Sequence, residues 1–82
     1  MLIKCGRKEI ELTNKDIIFY NDACYQIMTQ TIRQNFYEIY PVIAKDKAEK
    51  LIKDGKLIEI KKEFAYYIGR KEYWYIWYKL NE

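Results

Sequence analysis

The stretch Tyr73-Trp74-Tyr75-Ile76-Trp77-Tyr78-Lys79-Leu80 constrains this chain more than any other. Its aromatic richness reads as a β-strand, in which successive side chains stand on opposite faces. Trp74, Ile76, Tyr78 and Leu80 then share one face, and Tyr73, Tyr75, Trp77 and Lys79 the other. A strand with one solvated side alternates apolar with polar residues, but both faces here are apolar. Either the strand is central, with a helix over one face and residues 33–44 over the other, or it keeps one face open for a partner.

Size decides between the two. A chain of 82 residues makes one domain, residues 1–82. A body this small hides only about 60 to 65 per cent of the surface its unfolded chain exposes. With nine tyrosines, three phenylalanines and two tryptophans, not every ring can go inside. The expectation is that Trp74, Ile76, Tyr78 and Leu80 face the core. Tyr73, Tyr75 and Trp77 then stand exposed beside Tyr67 of the preceding arm, with Arg70 and Lys71 at the margin. Tyrosine and tryptophan suit such a surface because they offer wide, fairly rigid contact area with a hydrogen-bonding tip.

The rest of the chain supplies a frame for that strand. The chain is 50% hydrophobic and 33% charged, enough apolar material for a folded core. Residues 2–5 and 8–12 pair around Gly6-Arg7, a two-residue turn whose leading glycine suits the type II′ geometry. Residues 13–16 form a turn and 17–20 a short apolar strand that stops at Asn21-Asp22, a pair tolerant of left-handed backbone. Residues 23–32 read as a strand with Tyr25 and Ile27 on one side. Residues 33–44 carry no clear periodicity, and Pro41 forbids a central strand at that point. A helix runs from about 45 to 54: Ala48, Leu51 and Ile52 recur at helical spacing, and Gly55 follows where a left-handed residue ends a helix. Residues 56–62 form another strand. Residues 64–68 and 73–80 form the arms of a hairpin around Gly69-Arg70-Lys71-Glu72. The predicted class is α+β: a small antiparallel sheet with an N-terminal hairpin, a C-terminal aromatic hairpin and one principal helix.

Absent residue types narrow the chemistry. There is no histidine and no serine, which removes the Ser/His and Cys/His nucleophile pairs and the commonest metal ligand. Cys5 and Cys24 alone do not make a zinc site. Both read as reduced thiols of a cytoplasmic protein, because Lys4, Arg7 and Lys8 break any secretory leader. Carboxylate pairs such as Glu9 with Glu11 have ordinary surface spacing, and 82 residues rarely enclose a catalytic pocket. The expectation is a non-enzyme without cofactor or metal. No stretch approaches the roughly 18 apolar residues of a membrane span.

Net charge is +3 and lies in one place. Residues 1–44 and 63–82 balance, whereas residues 45–62 hold seven lysines against four acids. Lys47, Lys50 and Lys53 give the helix a basic outer face, and helix, glycine and following strand resemble the recognition helix and wing of a winged-helix DNA binder. The two further helices of that fold are missing from the strand-like residues 1–32, and the helix has almost nothing to read base edges. Three partners fit the aromatic face. One is another protein, or a second copy as a two-fold dimer. Another is a single strand whose bases stack on the rings while Arg70, Lys71 and Lys79 follow phosphates. The third is a signalling nucleotide clamped between rings, held by side chains because the chain has no Gly-rich phosphate loop.

The lysine-, isoleucine- and tyrosine-rich composition, the opening Met1-Leu2-Ile3-Lys4, Tyr40-Pro41-Val42-Ile43 and the helix-to-strand run Ala48 to Leu57 resemble small accessory proteins of bacteriophages that infect low-GC bacteria. The resemblance implies an inhibitor that acts by stoichiometric binding inside the host cytoplasm. Anti-defence proteins such as anti-CRISPRs, and sponges for signalling nucleotides, are of this kind.

Overall fold

A computed structural model describes residues 1–28 and 41–81. Within them the chain runs β1 (Leu2–Cys5), β2 (Lys8–Glu11), β3 (Ile17–Tyr20), β4 (Tyr25–Met28), β5 (Val42–Ile43), α1 (Lys45–Lys53), β6 (Leu57–Ile68) and β7 (Lys71–Leu80). The class is α+β as expected. Most of the unreadable stretch 33–44, and the end of the strand expected over 23–32, lie outside the described residues.

β1 and β2 form a separate two-stranded ribbon, and the other strands make a five-stranded antiparallel sheet in the order β5-β4-β3-β7-β6. Turn chemistry explains the local joins. Gly6 and Gly69 have φ of 64° and 60°, and the arginine after each stays at negative φ, the pattern of a type II′ turn. The second loop is therefore the two residues Gly69-Arg70, and Lys71 and Glu72 belong to the strand. Asp22 takes a left-handed φ of 71°, while the Asn21 side chain accepts from the backbone N–H of Cys24 at 3.1 Å. At the 13–16 turn the buried Asp16 carboxylate accepts from the Thr13 N–H at 2.8 Å. Pro41 precedes β5, the short edge strand, where its missing N–H costs nothing.

Helix α1 stops at Lys53, with Asp54 as its C-cap and Gly55 at φ 75°. The Gly55 N–H bonds the Ile52 carbonyl at 3.1 Å and the Lys56 N–H the Leu51 carbonyl at 2.9 Å. Those two bonds define a Schellman motif, which turns the chain straight into Leu57, 2% exposed. Asn81 then ties the end of β7 to this corner through the Lys56 and Gly55 carbonyls.

One layer of core holds the molecule together. Ile3, Cys5 and Leu12 of the ribbon and Ala48 of α1 pack on one face of the sheet, against Ile18, Tyr25, Ile27, Ile43, Leu57, Tyr78 and Leu80. Each fully buried isoleucine contributes about 1.5–3 kcal/mol of burial free energy. Helix and ribbon therefore lie on the same side, here called the near face.

The core ends before the last hairpin does. β6 is one unbroken strand of twelve residues, where the sequence reads as two pieces, and β7 has ten. β3 pairs with β7 only over Ile76–Tyr78, so the hairpin runs past its neighbour as a two-stranded arm. At about 3.3 Å per residue, twelve residues span about 40 Å, comparable to the 38 Å long axis of the molecule. This corrects one expectation: Tyr78 and Leu80 are core, but Trp74 and Ile76 of the same face are only half-buried.

Candidate functional site

Register decides which rings meet. Cross-strand partners in an antiparallel pair project to the same face. Phe19 of β3 sits opposite Trp77, Tyr75 opposite Glu63, and Tyr73 opposite Tyr66. All of these point away from helix and ribbon, onto the far face. Phe19 lies 5.0 Å from Trp77 and 5.4 Å from Tyr75 between ring centroids, and Tyr66 stacks on Tyr73 at 5.1 Å. The result is an aromatic row in two clusters on one face, Phe19, Trp77 and Tyr75 in the middle of the sheet and Tyr73 with Tyr66 further along the arm. Tyr73, Tyr75 and Trp77 are half-buried rather than exposed as expected, because neighbouring rings and the lysines lying over them take part of their surface; Phe19 is half-buried too. Tyr66 is exposed, and among the described residues no element covers the row.

The three residues expected at the heart of a recognition surface, Tyr73, Tyr75 and Trp77, are thus together. Tyr67 is not with them. It pairs with Glu72 and projects to the near side of the arm, where its ring lies 4.7 Å from Phe64. The cause is a register shift between Phe64 and Tyr66, which makes Ala65 an extra residue and gives Tyr66 the place that plain alternation assigns to Tyr67. Arg70 sits at the exposed tip, and Lys71 opens β7 with its ammonium 5.1 Å from the Tyr73 ring. Phe19 escaped the sequence reading because its partnership with β7 joins segments more than fifty residues apart, which no local pattern reveals.

Polar groups punctuate the row. The Lys61 ammonium lies 4.7 Å over the Trp77 ring, and Glu63 and Lys79 share the face. The Tyr66 hydroxyl donates to the Asp22 carboxylate and so pins the arm to the β3–β4 turn. That hydrogen bond is the first cause of a Tyr66 pKa pushed up to about 12, because it favours the neutral phenol. Tyr25 also rises to about 12, chiefly through burial.

The alternative basic face divides from this surface. Lys47, Lys50 and Lys53 are exposed on α1, which packs on the near face, so they cannot act with the aromatic row. Residues 1–28 form four strands, so the upstream helices of a winged-helix domain are not in that segment. Cys5, buried, and Cys24, half-buried, are free thiols. No helix among the described residues is long and apolar enough to cross a membrane. No family model, no curated protein and no solved structure matches the chain.

Proposed function

We propose that the protein is a non-catalytic binding module that inhibits a host factor by occupying it stoichiometrically, with the far-face aromatic row as its contact surface. The observation that supports this most is the row itself: a cluster of three touching rings and a stacked pair on a sheet whose other face already carries the core. Such rings offer contact area at low entropic cost. Charge on this face is sparse for a nucleic acid, since Lys61, Lys71 and Lys79 stand against Glu63 and leave little to hold a run of phosphates. The resemblance to phage accessory proteins supplies the partner class, a host defence protein, and the cytoplasm as the place of action.

A capture experiment from lysate of a low-GC bacterium, followed by binding with the purified partner, tests this reading. The complex should survive a rise from about 50 to 200 mM salt with little loss, whereas a strand held by several phosphate contacts would lose roughly a thousandfold or more. Tyr75→Ala should weaken it at least about tenfold, as for an aromatic hot spot. Lys50→Ala should leave it unchanged. Loss of binding with Lys50→Ala alone would move the contact to the helix and end the proposal.

A further inference from the structure

The near face of the arm holds a second feature. Where the core stops and the hairpin runs on, a cleft of about 240 Å³ opens between the arm, the β3–β4 turn and the first turn of α1. Tyr20, Tyr73, Trp74 and Ile76 supply ring and apolar surface; Lys45, Lys62 and Lys71 line it from three different elements, and Asp22 and Glu72 bring carboxylates. The Lys62 ammonium lies 4.7 Å over the Trp74 ring. Among the described residues, neither Lys62 nor Lys71 forms an ion pair, and Lys45 reaches Glu49 only at 4.0 Å. Asp22 is already engaged by the Tyr66 hydroxyl.

We propose that this cleft binds one base-plus-phosphate unit, the base stacked on Trp74 and the phosphate held by Lys45, Lys62 and Lys71. The chemistry follows from what the cleft holds. A ring face with a flexible lysine lying on it is a stacking position with a removable lid, because base stacking on an aromatic outweighs an exposed cation–ring contact. The displaced ammonium then has a phosphate to meet. Three ammonium groups lining one cleft beside the Trp74 and Tyr73 rings suit a ligand that is both flat and anionic, while a purely apolar ligand would leave them idle. Glu72 adds an acceptor at the rim for an exocyclic amino group. The cleft meets the aromatic row only at Tyr73 and Lys71, whose ammonium lies over the Tyr73 ring, so Trp74, Lys45 and Lys62 are the residues that distinguish the two sites.

The unit can come from a free nucleotide or from a single strand. Titrating Trp77→Phe protein, whose remaining tryptophan is Trp74, with adenosine monophosphate should quench its fluorescence with a Kd between about 10 µM and 1 mM. Adenosine and inorganic phosphate, each half of the unit, should bind at least about tenfold more weakly. Lys62→Gln with Lys71→Gln should weaken the nucleotide at least about tenfold and flatten the salt dependence, while Lys50→Gln, which removes one charge away from the cleft, should not. A hexamer of deoxyadenosine binding about tenfold or more tighter than the mononucleotide identifies a strand as the source, and equal or weaker binding a free nucleotide. The proposal is overturned if folded protein shows no quenching by millimolar nucleotide. It is equally overturned if phosphate alone binds as well, or if the double lysine variant binds unchanged.

Discussion

The two hairpins of this molecule use the same turn and meet opposite fates. Gly6-Arg7 and Gly69-Arg70 are both glycine-first, two-residue turns with positive φ at the glycine. The first hairpin, four residues a side, packs on the sheet and buries Ile3 and Cys5. The second is about three times as long and leaves Phe64, Tyr67 and Ile68 at 41, 63 and 59% exposure. A turn therefore fixes register but not burial. Burial follows from how far a core reaches, and here the core gives out near Ile76.

Truncation should separate the hairpins most sharply. Ile3→Ala should cost about 2–4 kcal/mol in urea unfolding, because it empties a site that is only 1% exposed. High pH gives the next contrast. In the first hairpin the buried thiol of Cys5 is held above its usual value by desolvation, partly offset by Lys47. On the arm, Tyr66 is held at about 12 by its bond to Asp22. In both cases the fold prefers the neutral group, so the unfolded chain gives up its proton first. Stability is full below the unfolded pKa and falls as pH rises through the folded one. Thiol labelling in a Cys24→Ser background should report the first hairpin loosening as pH climbs past about 9, whereas tyrosinate absorbance should place Tyr66 and Tyr25 at about 12, well above the ordinary tyrosine value. If both probes move together, the hairpins are one cooperative unit.

Gly6→Ala and Gly69→Ala should each cost about 1–2 kcal/mol, since a Cβ at either meets no atom within 4 Å and the penalty is purely that of left-handed backbone. Unequal costs would show that the arm's turn does not report on the whole fold. Smallest of all, Tyr67→Ala should change stability by under about 0.5 kcal/mol. A larger loss would mean that the exposed side of the arm is propped by its Phe64 contact.

Local signals in the sequence led to local structure. Gly6, Asn21-Asp22 and Gly55 each marked the turn or cap that forms, and the spacing of Ala48, Leu51 and Ile52 placed α1 to within a residue. Alternation in β7 correctly grouped Tyr73, Tyr75 and Trp77. What alternation could not carry was interruption: Ile60 and Ala65 look like ordinary strand residues, yet register shifts at both re-sort every side chain beyond them. Exchange of Tyr66 for Tyr67 in the aromatic row follows from one of those shifts. Pairing between distant strands was equally hidden, so Phe19, which joins the row to the body of the sheet, and the cleft beside Lys45 could only come from coordinates.

The two irregularities in β6 also bear on how such a chain survives in a crowded cell. β6 is the outer border of the sheet, and a straight border of twelve residues ending in Phe64, Tyr66, Tyr67 and Ile68 would template strand after strand into fibrils. Kinks at Ile60 and Ala65, with Lys61 and Lys62 between them, break the even ladder that such growth requires. Deleting Ala65 would remove one of these interruptions as well as rearrange the rings, so the residue that sorts the far-face aromatics also breaks the evenness of the border.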